Sequence, residues 1–145
     1  MRFIVFVLII ILLLAILSKL STHYYKDKIN HTLKINNATL DIEIADNDQE
    51  RTQGLSGKEN LEENSGLLFV FEKEGDYGIW MKDMNFPIDI AWLDKNKKIV
   101  HIEKNISPET YPKIFNSETP NLFVLETPAN FFAQNNIKIG DFVDF

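Results

Sequence analysis

Two carboxylates and a pair of large aromatics are the residues of this chain whose types and spacing best suit chemistry. In residues 88–93, Ile-Asp-Ile-Ala-Trp-Leu, a period of two sets Ile88, Ile90 and Trp92 on one side and Asp89, Ala91 and Leu93 on the other. Asp89 therefore points with apolar neighbours, and a buried carboxylate left without a partner is costly. Lys82, Arg51 and backbone N–H groups at the Asn85-Phe86-Pro87 corner are the partners the sequence offers. Asp89 either pins that corner or stands as a polar group at the mouth of an aromatic-lined pocket.

Glu126 poses the same choice. It continues the Leu122 and Val124 face and ends an apolar strand just before Thr127-Pro128, so it either satisfies loop N–H groups or lines a ligand cleft. If Asp89 and Glu126 faced each other across a cleft they could act as general acid and base on a glycoside, in a hydrolase or lyase. Trp80, Tyr77 and Trp92 are stacking platforms for a sugar ring where exposed, and core residues where not. Trp80 is the strongest of these, because residues 77–84 are apolar on both faces, as in a strand between layers or one lining a pocket. The candidate ligand-binding set is Trp80, Lys82, Asp89 and Glu126, with no catalytic or metal residue assigned.

Other chemistries find little support. His23, His31 and His101 are scattered, without the paired spacing of a zinc site. Asp46-x-Asp48-x-Glu50 begins like a calcium loop, but Arg51 stands where the turn glycine belongs and Gly57 where the bidentate acid belongs. Gly54-Leu55-Ser56-Gly57 resembles a nucleophile elbow until Lys58 replaces its last glycine. No glycine-rich phosphate loop is present, and no cofactor is called for. The chain has no Cys, which removes thiolate metal sites, disulfides and cysteine nucleophiles. Its formal charge of -6 argues against nucleic acid as a partner.

The elements that must position these residues are mostly strands. Leu40, Ile42 and Ile44 alternate with Thr39, Asp41 and Glu43, and Leu33 and Ile35 precede them across an Asn36-Asn37 turn. Asp46 or Asp48 can cap a short helix over residues 49–53, which Gly54 stops. Further strands are expected at residues 67–71, 77–84, 88–93, 99–103, 122–126 and 137–143, with a second short helix near residues 129–135. The expected fold is mainly β, an antiparallel sandwich or partly closed barrel of seven to eight short strands with two short helices. The absence of a βα alternation excludes a doubly wound nucleotide-binding sheet.

Residues 3–17 are fifteen consecutive apolar residues between Arg2 and Ser18-Lys19. As a helix they span roughly 22 Å, short of a hydrocarbon core of about 30 Å, and the stretch to Leu20 brings them close to a workable span. Either a cleaved signal or an uncleaved anchor fits; the lack of an A-x-A-like site favours the anchor. Residues 1–20 thus form the anchor or signal segment, residues 21–32 a polar tether and residues 33–145 a single β domain. Arg2 places the N-terminus inside, hence a single pass through the cytoplasmic membrane by residues 3–20 with the domain outside, or secretion if the segment is cleaved. Beyond residue 20 the chain carries 13 basic and 21 acidic residues, a net −8 that anionic headgroups would repel.

The order of local motifs carries a resemblance. Glu50-Arg51-x-x-Gly54-Leu55, Leu61 and Ser65-Gly66-Leu67-Leu68-Phe69-Val70-Phe71 come first. They are followed by Trp80-Met81-Lys82-Asp83, Pro87-Ile88-Asp89-Ile90, Val124-Leu125-Glu126 and Gly140-Asp141. Together they are similar to the domain-of-unknown-function 192 family over about residues 40–143. The resemblance implies a mostly β, jelly-roll-like fold, often exported behind a signal or anchor, and supplies no activity. Family members usually carry Met at Ser56, Arg at Lys58, Asn-Thr at Asp83-Met84 and Gly at Asn130. The expected role is binding of a small polar or saccharide-like ligand by a membrane-tethered domain. The alternatives are a carboxylate-dependent hydrolase or lyase, and a structural or interaction domain without a small ligand.

Overall fold

The computed structural model describes residues 10–18 and 31–145. The first piece is a short helix, α1, whose apolar side chains, such as Leu12 and Leu17, are exposed. Among the described residues no helix is long and apolar enough to cross a membrane. Residues 1–9 and 19–20 of the expected span lie outside the described residues, as does the expected tether up to residue 30. The tether's last two residues, His31 and Thr32, open the first strand instead.

Residues 31–145 are mainly β. Nine strands run as β1 (His31–Ile35), β2 (Ala38–Ala45), β3 (Ser65–Gly75), β4 (Ile79–Trp80), β5 (Ile88–Leu93), β6 (Ile99–Ile106), β7 (Ile114–Phe115), β8 (Asn121–Pro128) and β9 (Val143–Asp144). Two α-helices interrupt them, α2 (Asp48–Gln53) and α3 (Phe131–Gln134), and a single 3₁₀ turn, Pro108–Thr110, lies between β6 and β7. Seven strands form one curled half-barrel sheet in the order β6-β5-β8-β3-β2-β1-β9, and β4 pairs with β7 in a small second sheet. The sheet is not wholly antiparallel, because β2 and β3 run parallel, with Glu43 opposite Leu67. A parallel neighbour cannot be reached by a tight turn, so residues 46–64 make the crossover and carry α2 with them.

Both faces of the large sheet are apolar. All seven strands contribute to one cluster, which includes Leu33, Ile42, Leu68, Leu93 and Leu125, and Phe131 and Phe132 of α3 cap it. The other face carries Leu67, Phe69, Ile90, Trp92 and Val124, covered by Leu55 of the crossover and by Ile79, Met81 and Phe115 beside the small sheet. A strand between two such layers has no wet side, and all six residues of β5 are buried. Residues 31–145 form one compact unit, which holds both cores and all the described strands.

Several expected elements change length. Of residues 77–84 only Ile79 and Trp80 are strand, and of residues 137–143 only Val143, because neither segment joins a long ladder partner. The cap of α2 is Asn47, whose Oδ1 accepts from the Glu50 N–H at 3.0 Å, rather than either aspartate.

Candidate functional site

Glu126 lies on β8 between Leu67 of β3 and Ile90 of β5, its register partners on either side. Period two sets it on the face of Val124, under the crossover and the small sheet. It is 4% exposed, and its Oε2 has no hydrogen-bond partner. Burial pushes its carboxyl up to about 8, against a smaller opposite pull from the Lys58 ammonium. Lys58 itself is held 2.6 Å from Glu43 Oε1 on β2, one strand beyond Leu67.

Two walls rise over Glu126. One is α2 with the loop after it. Gly54 ends the helix at φ +50°, a conformation that favours glycine, and donates to Glu50 O. The other wall is the 79–84 segment. The two are stitched together by Gly57 N–H to Asp83 O at 2.8 Å and Ser56 Oγ to Lys82 O at 2.8 Å. Asn85 Nδ2 donates to Lys58 O at 2.8 Å beside them. Asp83 sits at φ +54° and Asn130 at φ +71°, both in the left-handed region that side chains other than Asn and Asp seldom adopt.

Ile79 and Met81 point into the core, so Trp80 between them points out and is 46% exposed. The edge of Tyr111 meets its ring at 6.0 Å and the Lys82 ammonium lies 5.9 Å from its centre. An open cleft of about 290 Å³ lies between the walls, lined by Thr52, Gln53, Ser56, Gly57, Trp80, Lys82 and Asp83. Behind it is a narrower chamber of about 60 Å³, where Leu55, Phe69, Ile79 and Met84 join Glu126. Cleft and chamber share Thr52, Gln53, Ser56 and Trp80.

Three of the four expected site residues thus gather here: Trp80 and Lys82 in the cleft, Glu126 at its inner end. Asp89 does not. It is fully buried on the opposite face of the sheet, where Oδ1 accepts from Asn105 N–H at 2.7 Å and Asn130 N–H at 3.1 Å. Its Oδ2 accepts from Phe132 N–H at 3.1 Å. Its partners are therefore backbone groups at the end of β6 and around α3, neither Lys82 nor Arg51 nor the Pro87 corner. Arg51 is engaged with Asp48 Oδ1 at 2.6 Å and the carbonyls of Asp46 and Val70. The acid–base pair imagined for a glycoside does not form.

Two of the three aromatic platforms also change role. Trp92 is fully buried and donates from Nε1 to Tyr77 O at 2.7 Å. Tyr77 stacks on Phe71 at 3.5 Å and stands outside the cleft. The sequence assigns no site role to Ser56, Gly57 or Lys58, because residues 54–58 read there as a helix stop and an incomplete nucleophile elbow. The glycines there are turn formers, and the crossover that they shape is what brings α2 over β8. His101 pairs with Glu103 Oε1 at 3.3 Å, and among the described residues no group of three or more His, Asp or Glu side chains could hold a metal ion.

A mainly β half-barrel with a cleft over one sheet face is the class of domain these features define. Residues 31–145 match the model of the DUF192 family, described as an uncharacterized ACR, and the chain belongs to that family. A solved structure from Sinorhizobium meliloti 1021, described as "a putative transcription regulator", is similar at 25% identity and a TM-score of 0.74. The match covers 78% of this chain and 91% of that one. A protein of unknown function from Novosphingobium aromaticivorans DSM 12444 is similar at 23% identity and a TM-score of 0.75, over 79% and 84% of the two chains. No curated protein matches the chain.

Proposed function

We propose that this domain is a binding module for a small polar, saccharide-like ligand, taken into the cleft between α2 and the 79–84 segment. The observation that carries the reading is the half-exposed Trp80 ring at the mouth of a cleft whose inner end is a carboxyl with no hydrogen-bond partner on its Oε2. A flat apolar face with a few polar groups around it suits a sugar ring or a similar cyclic polyol. The carboxylate-dependent hydrolase or lyase is less well supported, because Asp89 and Glu126 point to opposite faces. The regulator description of the Sinorhizobium protein does not transfer well to an acidic chain of charge -6.

Thermal denaturation of residues 31–145 with a panel of neutral saccharides tests this. One compound should raise the melting temperature of the wild type by several degrees near saturation, and should leave Trp80→Ala unmoved. No shift with any compound, or an equal shift in the variant, sinks the reading in favour of a structural or interaction domain.

The same proposal holds the domain outside the cytoplasmic membrane by residues 3–20. The fifteen-residue apolar run, the basic Arg2 before it and the lack of any acid in residues 1–20 support it. Full-length chain that stays with membranes through alkaline carbonate washing, and is digested by protease added outside intact cells, is the expected result. Recovery in the cytoplasmic fraction overturns it.

A further inference from the structure

We propose that the inner chamber receives a primary ammonium group of the ligand, held by the Glu126 carboxylate. This deepens the binding reading above and rests on it for the site, not for the outcome. Several polar groups around the chamber already serve the protein. Thr52 Oγ1 donates to Asp48 O, Ser56 Oγ to Lys82 O and Gln53 Nε2 to Ser56 O. Each of these side chains has thereby used a donor on the protein, and keeps acceptor capacity in its oxygen. Glu126 adds a carboxyl whose Oε2 is unpartnered. The remaining walls are the apolar Leu55, Phe69, Ile79 and Met84.

A buried carboxyl whose Oε2 has no partner, beside side-chain oxygens that keep acceptor capacity, complements a group with several N–H bonds and no lone pair. Ammonium has three donors and no acceptor. A hydroxyl would leave an ionised Glu126 without a counter-charge, and a carboxylate ligand is repelled once Glu126 ionises. The volume, about 60 Å³, admits a small head group and leaves the rest of the ligand in the outer cleft beside Trp80.

The surrounding charges permit this. From the crossover, Arg51 lines the chamber with its guanidinium paired to Asp48, and Lys58 is paired to Glu43 of β2. Lys82 and Asp83 stand at the outer cleft, with opposite charges. The flanking strands offer only Leu67 and Ile90 beside Glu126. Because burial pushes the free carboxyl up to about 8, it is protonated at pH 7. A bound ammonium must therefore displace that proton: the O–H bond breaks, the proton goes to buffer and the carboxylate pairs with the N–H donors. Affinity then rises with pH by nearly tenfold per unit below about pH 7, and levels off above the raised pKa.

Calorimetric titration of residues 31–145 with methylammonium, glucosamine and N-acetylglucosamine, in two buffers of different ionisation enthalpy, tests it at pH 6, 7 and 8. Methylammonium, which keeps its charge over this range, should bind, release close to one proton at pH 6 and bind tens of times more tightly at pH 8; glucosamine should bind and release close to one proton at pH 6. Glu126→Gln, checked as folded by its melt, should lose this binding and the proton release. Equal binding of glucosamine and its N-acetyl form without proton release overturns the ammonium assignment and leaves the saccharide reading standing. Binding of the amines alone, dependent on Glu126, upholds the assignment while the neutral-saccharide reading fails. No amine binding at any pH, or binding unchanged in Glu126→Gln, overturns the assignment.

Discussion

Asp89 and Glu126 sit on neighbouring strands one register step apart, and so face away from each other through the sheet. Glu126 is opposite Ile90, while Asp89 is opposite Thr127. One carboxyl closes the α3 side of the fold with three backbone N–H donors, and the other is left beneath a cleft with no donor on its Oε2. Two acids that read alike in sequence thus have opposite hydrogen-bond environments.

Asp89 ties three segments together, and its loss should be felt in stability rather than in binding. Asp89→Asn places an amide NH₂ against at least one backbone N–H, losing an acceptor and setting donor against donor. A destabilisation of about 1–3 kcal/mol is expected, and more for Asp89→Ala, which leaves three buried N–H groups unsatisfied. Urea denaturation measures it; an unchanged midpoint would show that Asp89 does not hold these segments.

Glu126 should make the domain less stable as pH rises. Its folded-state pKa is about 8 against a usual value of 4.5, so the folded state keeps a proton that the unfolded chain has lost. Below about pH 4.5 both states hold the proton and nothing is lost. Between that pH and about 8 stability falls, by on the order of a few kcal/mol in all, and above the folded pKa the loss is complete. Glu126→Gln should remove this slope and melt above the wild type at pH 9. Parallel pH profiles of the two proteins would sink the prediction.

Gly66 owes its place to a close approach of backbones. A Cβ there would meet the Glu126 carbonyl oxygen of β8 at 2.8 Å, and that atom belongs to a ladder that cannot give way cheaply. Gly66→Ala should cost roughly 1–3 kcal/mol by overpacking. A melting temperature equal to the wild type's would mean that β3 and β8 can separate locally at no cost.

The two tryptophans should separate cleanly on truncation. Trp92→Ala empties a fully buried site and leaves the Tyr77 carbonyl without its donor, with an expected loss of about 3–5 kcal/mol. Trp80→Ala removes a ring that is nearly half exposed, and should cost less than about 1 kcal/mol. Denaturant midpoints decide between this and a shared core role.

The sequence by itself determined the strands that alternate or are wholly apolar, above all residues 40–44, 88–93 and 122–126. Side-chain period in a strand is local, and each was long enough to show it. It also determined the family, through motifs whose order survives in one dimension. The parallel pairing of β2 with β3 was not legible, because pairing partners are set by which faces can be buried together and not by either strand alone. That pairing forces the crossover, and the crossover carries α2, Ser56 and Lys58 over Glu126. Asp89 was legible as a buried acid in need of partners, yet those partners come from residues 105, 130 and 132, far along the chain. Whether a buried carboxyl is satisfied or left open to a cleft depends on what distant backbone reaches it, and only the tertiary structure decides that.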